Sequence, residues 1–305
     1  MLRRTLVAAS RSRALRRFAE DAPIARDVAA RFVAGDTLQD AFDAIAVHNG
    51  AGRSVTLDHL GEDVTDAAAA REHADVVLAA LDGIAARGLD ASVSVKPTAL
   101  GLDLDPDLCR ELLDAICTRA AACGTHVTLD MEGSDHTDRT VGLVLDLRAA
   151  GHDDVGCAVQ SYLHRTPADV AKLTAVGASL RLCKGAYAEP EEIAFQRRED
   201  VDRAYLELAE QLLTSGTFAR FATHDHRLIR AIRDLARRHE VGDDDYEFQM
   251  LHGVREPLQR ELTEAGLGVR VYVPFGTEWY PYFVRRLAER PANLLFFLRA
   301  LAGGR

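Results

Sequence analysis

Only three lysines, Lys96, Lys172 and Lys184, stand among the 37 basic side chains of this sequence. Two of them close short β-rich runs, which suggests that a compact ammonium is wanted at those points where arginine is otherwise the rule. Other polar groups end such runs too: Asp130 and Glu132, Gln160 and Tyr162, Arg181 beside Lys184, Thr223 with His224 and Asp225, then Gln249 and Tyr272. Gln160 lies within the apolar string VGCAVQSYL, and Arg181 and Lys184 bracket Leu182 and Cys183. A polar group inside a buried run needs a partner, and a bound ligand is a natural one. Farther on, Pro281 suits a first helical turn. Tyr282, Arg285, Arg286 and Glu289 then fall at i, i+3, i+4 and i+7 on one face. Two adjacent guanidinium groups near a third cation, Lys96, make a clamp for a small carboxylate. A phosphate is the poorer guest, because no glycine-rich loop accompanies the clamp.

Eight β-rich runs carry these groups: 54–57, 92–96, 126–131, 155–162, 179–184, 220–223, 246–251 and 269–273. Between them lie segments of helical period, including 65–87, 107–123, 141–150, 167–176, 192–213 and 226–238. Eight strands alternating with helices predict an α/β fold, a (βα)8 TIM-type barrel with its site at the C-terminal ends of the strands. An open doubly wound sheet would announce itself by GxGxxG or a P-loop, and neither string occurs. The expected division is an N-terminal helical arm, 1–53, and a barrel domain, 54–305. Within the arm, residues 23–46 keep a helical period broken near Asp36 and Thr37. Residues 1–17 hold six arginines and no acid, the pattern of an interfacial helix, a targeting segment or a basic helix packed on the barrel.

Composition narrows the function. The formal charge of −10 and pI near 5.6 argue against a nucleic-acid partner, whose binding rests on phosphate neutralisation. No apolar run approaches the roughly 20 residues of a spanning helix. Five cysteines without a CxxC pair read as reduced thiols of a cytoplasmic protein, and no metal site is expected. A metal-dependent hydrolase on the same barrel would draw on His224, Asp225, His226, Asp130 and Glu132. Its weakness is spacing: three consecutive side chains cannot all point inward, and the first run is expected to offer only His59 beyond Leu57. A barrel that merely binds a small anion leaves so many polar strand ends unexplained.

The strings SVKPTALGL, LDMEG, VQSYLHRT, LRLCKGAYAEP, FATHD, YEFQMLHG and YVPFGTEWYPYFVRRLAER, in this order, resemble the proline dehydrogenase family, over about residues 54–298 and at a length similar to its monofunctional bacterial form. The resemblance implies a distorted (βα)8 barrel holding noncovalent FAD at its mouth, with the last helix lying over the barrel mouth and closing the proline site. It implies that Lys96, Arg285 and Arg286 hold the carboxylate of L-proline, that Asp130, Tyr272 and Tyr282 shape the pocket, and that Ala186, Tyr187 and Leu251 pack around the ring. By the same resemblance Met131, Gln160, Arg181, Lys184, Gly185, Thr223, His224, Gln249 and Glu289 fall on the flavin, with Glu132 close by. Two positions depart from the family's pattern, Ala188 where an aromatic often follows GAY and Arg290 where asparagine is frequent. The implied reaction yields 1-pyrroline-5-carboxylate, with a membrane quinone as electron acceptor and a separate 1-pyrroline-5-carboxylate dehydrogenase as consumer. The implied location is cytoplasmic, peripheral at the inner face of the cell membrane.

Overall fold

The computed structural model describes the backbone of residues 29–289 and side chains as far as Val284. The basic segment 1–17 therefore lies outside the described residues. Eight parallel strands close in sequence order into a barrel: β1 Ser54–His59, β2 Ala91–Val95, β3 Val127–Leu129, β4 Val155–Gln160, β5 Ser179–Cys183, β6 Ala219–Ala222, β7 Tyr246–Leu251 and β8 Gly268–Phe275. The described helices are α1 Leu38–Gly50, α2 Ala67–Arg87, α3 Pro106–Ala122, α4 Ser134–Ala149, α5 Thr166–Ala175, α6 Arg198–Leu213, α7 His226–Arg238, α8 Glu256–Glu264 and α9 Trp279–Glu289, with a short 3-10 turn at Pro97–Leu100.

The ends are written locally. Thr37 and Asp40 form a capping box that starts α1, at the break expected there. Asp66 caps α2, Gly88 closes it in the left-handed region, and Asp105 caps α3 ahead of Pro106. Helix α1 packs on β1 and β8, so the expected boundary at 53/54 separates a helix and a strand that are in contact. No described helix is long and apolar enough to cross a membrane.

Strand alternation decides where the core lies. Val55, Leu57, Val93, Val95, Val127, Leu129, Leu180, Leu182, Phe221, Phe248, Val271 and Val273 belong to one continuous apolar cluster with the helices. The intervening positions are polar: Thr56 and Asp58, Ser92 and Ser94, Thr128, Gln160, Arg181, Arg220, Glu247 and Gln249 are all buried. Period-two alternation thus sends apolar side chains out to the helices and polar ones into the barrel. At Gly156 a Cβ would lie 1.8 Å from the Ser179 carbonyl oxygen, so β4 approaches β5 closely only without a side chain there.

Two expectations need correcting. The segment predicted as one helix over 192–213 begins its helix only at Arg198; residues 184–197 form a strap held by an antiparallel bridge between Leu163 and Ala194. The first strand runs on through His59 and places Asp58, 1% exposed, inside the barrel. It therefore offers more than His59 to the mouth.

Candidate active site

A single chain of hydrogen bonds and ion pairs climbs the barrel interior. At its floor Glu247 accepts from Arg270 Nε at 2.8 and 3.1 Å and pairs with Arg220 at 3.4 Å. Gln249 Nε2 donates to Glu247 at 2.7 Å, and its Oε1 accepts from Arg181 Nε at 2.6 Å. Arg181 Nη1 donates to Asp130 Oδ1 at 2.6 Å and to Ser94 Oγ at 3.2 Å. Tyr272 donates to Asp130 Oδ2 at 2.6 Å, and its ring lies 5.2 Å from the Arg181 guanidinium carbon. Lys96 Nζ is 3.6 Å from Asp130 and donates to both oxygens of Asp58 at 2.9 Å.

Burial makes these pairings obligatory, since an unpaired charge in this interior would cost several kcal/mol. For Lys96 burial alone would depress the ammonium, but Asp58 and then Asp130 hold it above its ordinary value. For Asp130 burial would raise the carboxyl, and Arg181 and then Lys96 more than reverse this. Burial and the charges of Asp130 and Asp58 push the Tyr272 phenol well up, which keeps it a donor. The linked chain holds four cations, Lys96, Arg181, Arg220 and Arg270, against three carboxylates, Asp58, Asp130 and Glu247. Arg181 Nη2 is buried with no hydrogen-bond partner among the described residues. The surplus lies at the floor, where Arg220 and Arg270 share Glu247, while Lys96 and Arg181 balance Asp58 and Asp130 above it; it is the orphaned Arg181 donor that fits an electron-rich guest.

The other predicted residues surround this chain. Gln160 Nε2 donates to the Glu132 carbonyl at 2.9 Å, while the Glu132 carboxylate is held by Thr98 Oγ1 at 2.5 Å and Thr98 N at 3.2 Å. Met131, immediately before Glu132, is buried. Lys184 pairs with Asp202 at 2.5 Å and Asp225 at 3.7 Å. Thr223 Oγ1 accepts from Asp225 N, and His224 Nε2 accepts from the backbone of Leu251 at 2.9 Å. Ala186 and Tyr187 are half-buried in the strap after β5. At Gly185 (φ +113°) a Cβ would meet the Tyr162 ring at 2.2 Å, so only glycine allows the chain to pass there. Tyr282 is buried with Phe32, Leu60, Trp279 and Phe283. The side chains of Arg285, Arg286 and Glu289 lie outside the described residues, although the backbone of α9 carries them.

Asp58, Ser94, Glu247 and Arg270 were not among the predicted site residues. The signal for them is parity: each stands two residues from another inward polar side chain, as Asp58 does from Thr56. The side chains proposed for a metal are engaged separately, Asp225 capping α7 and His224 bonding β7. Among the described residues no three His, Cys, Asp or Glu side chains gather as ligands.

Comparison with known proteins agrees with this geometry. The family model described as Proline dehydrogenase matches residues 41–299. The chain is 38% identical over 276 residues to Proline dehydrogenase 2 of Bacillus subtilis (strain 168), covering 90% of this chain and 91% of that one. It is 36% identical over 282 residues to Proline dehydrogenase of Deinococcus radiodurans, covering 91% of each. Among solved structures, proline utilization A from Bdellovibrio bacteriovorus, inactivated by N-propargylglycine, superposes with a TM-score of 0.82 at 23% identity. That match covers 87% of this chain but 33% of the larger protein, so the likeness is to one fold within it.

Proposed function

The chain belongs to the proline dehydrogenase family, and from that footing we propose that it oxidises L-proline to 1-pyrroline-5-carboxylate with FAD and passes the electrons to a membrane quinone. The observation that carries this reading is the buried chain from Asp58 to Arg181, in which Lys96 and Arg181 balance Asp58 and Asp130 and Arg181 Nη2 is left without a hydrogen-bond partner among the described residues. When bound, FAD supplies the hydride acceptor, so the protein need provide neither a nucleophile nor a metal. Proline loses a hydride from its ring carbon and a proton from its nitrogen.

Lys96, held protonated by Asp58, takes one side of the proline carboxylate, and Arg285 and Arg286 on α9 take the other. Asp130, fixed by Arg181, Ser94 and Tyr272, gives the pocket a wall whose charge does not vary near neutral pH. Tyr272 and Tyr282 bound the ring, with Ala186, Tyr187 and Leu251 packed around it. Met131, Gln160, Arg181, Lys184, Gly185, Thr223, His224, Gln249 and Glu289 would hold the flavin. Arg181 has a donor to spare for it, and preorganised donors of this kind stabilise developing negative charge. A separate dehydrogenase for 1-pyrroline-5-carboxylate would consume the product. The basic segment 1–17 would bring an acidic protein to an anionic membrane surface.

The test is direct. Purified protein should show flavin absorbance near 450 nm (about, as expected of the free cofactor) and reduce a soluble dye only when L-proline is added. A colourless protein that takes up no FAD and shows no proline-dependent reduction would overturn the reading.

A further inference from the structure

The strap between β5 and α6 leaves and returns to the same segment. At its start Tyr162 N donates to the Lys184 carbonyl at 3.0 Å. At its end His164 N donates to Ile193 and Phe195 N to Tyr162, and Tyr162, Leu163 and Ala194 share a small apolar cluster. Midway, Glu189 reaches out to a different element. Its Oε1 accepts from Ser134 N at 2.8 Å and its Oε2 from Ser134 Oγ at 2.6 Å, while Gln196 Nε2 donates to the Glu189 carbonyl at 3.1 Å.

Ser134 opens α4, and the residue in capping position before it is Gly133, which has no side chain to offer. A carboxylate 55 residues away in sequence therefore supplies the cap. Gly133 also ends the string Asp130, Met131, Glu132, so one contact joins the loop after β3 to the strap that bears Gly185, Ala186 and Tyr187. A helix cap supplied by a remote strap costs chain entropy that a serine or aspartate at position 133 would avoid. Its distinguishing effect is to tie two walls of the mouth together.

We propose that Glu189 is a positioning residue, which by fastening the strap to the start of α4 fixes Ala186 and Tyr187 against the ring of bound proline. The proposal rests on the proline reading above. Gly133 provides the means to separate tethering from capping. Its backbone is extended (φ −61°, ψ 163°), and the nearest atom to a Cβ there, Glu189 Oε1, is 3.8 Å away. Serine thus fits at 133 and can cap α4 from its own chain.

Three proteins decide it: wild type, Glu189→Ala, and Glu189→Ala combined with Gly133→Ser. Proline KM and kcat are measured with a dye acceptor, and hydrogen exchange is followed over residues 133–137 and 185–195. Glu189→Ala should raise KM about tenfold with kcat changed less than about twofold, the signature of binding lost equally in the ground and transition states. Exchange should quicken in both segments. Adding Gly133→Ser should restore protection at the start of α4 while KM stays high and the strap still exchanges fast. Recovery of KM together with the cap would reduce Glu189 to a helix cap and overturn the proposal, as would an unchanged KM in Glu189→Ala. Should wild type show no proline-dependent turnover, the proline reading fails. Exchange of the strap then reports separately: quickened in Glu189→Ala, the tether stands without its substrate; unchanged, there is no tether.

Discussion

Asp58→Asn puts the interior chain under its sharpest test. Lys96 is 8% exposed and Asp58 1%, and the carboxylate takes two ammonium hydrogen bonds of 2.9 Å. Removing one partner of a buried pair costs about 3 to 5 kcal/mol when the other charge is stranded. Here Asp130 remains 3.6 Å away and the amide oxygen can accept one bond, so about 2 to 3 kcal/mol is expected. At about 2 to 4 °C per kcal/mol for a chain of this size, Tm should fall by about 4 to 12 °C. The pH dependence carries the sharper signature. Burial pulls the Lys96 ammonium down, and Asp58, then Asp130, hold it above its ordinary value. A raised lysine contributes stability below its unfolded value, near about 10.4, and loses it only as pH rises through the folded one. Without Asp58, burial is opposed mainly by Asp130, so the pKa drops toward the working range. Proline binding should then weaken as pH rises from about 7 to 9, a limb the wild type lacks. The assay is kcat/KM for proline and Kd of a proline-sized carboxylate inhibitor across that range, with thermal melts alongside. An Asp58→Asn protein with wild-type Tm and an unchanged pH profile would refute the assigned role of the pair.

Arg285→Met or Arg286→Met should raise proline KM by about 30-fold to several thousand-fold, since a charged partner of a desolvated carboxylate is worth about 2 to 5 kcal/mol, with flavin content largely kept. Unchanged proline kinetics in both would leave α9 a solvated face. Acid should destabilise the fold through buried histidines: burial first, then His252 beside His48, Lys96 beside His59 and His59 beside His73, hold His48 and His59 at about 4 and His73 at about 3. Their folded values lie below the unfolded one near about 6.5, so their contribution is complete above that pH and fades as pH falls toward about 4, by up to about 1.4 kcal/mol per unit for each. Thermal melts between pH 7.5 and 4.5 (about the window just given) should show a shallower slope in His73→Gln, and an identical slope would count against it. Deleting residues 1–17 should reduce sedimentation with anionic vesicles and turnover with long-chain quinones while sparing the soluble dye assay; equal vesicle binding would defeat that role.

The sequence by itself determined the barrel, because a strand's pleat and a helix's turn impose periods that can be read without knowing neighbours. The expected run 246–251 and the observed β7 coincide, as do 226–238 and α7. Lys96, Asp130, Arg181, Gln249 and Tyr272 were legible as polar groups at the ends of apolar runs. The helix expected from Glu192 is too long at its start because the period of Val201, Ala204, Tyr205 and Leu208 marks a helix without marking where it begins. Ile193 and Phe195 stand two apart, a strand's spacing, and a bridge between Leu163 and Ala194 claims that stretch. Asp58 does not stand out in the sequence, because a lone acid after Val55, Thr56 and Leu57 resembles the polar end of a strand. Only closure of the barrel reveals that it meets Lys96, 38 residues away, that Tyr272 meets Asp130, 142 away, and that Glu189 caps a helix that begins 55 residues earlier. Periodicity is local and fixed by backbone geometry, while partnership depends on the register with which eight strands close. No window along the chain contains that register, and so the polar positions were written in the sequence but their pairing was decided in the tertiary structure.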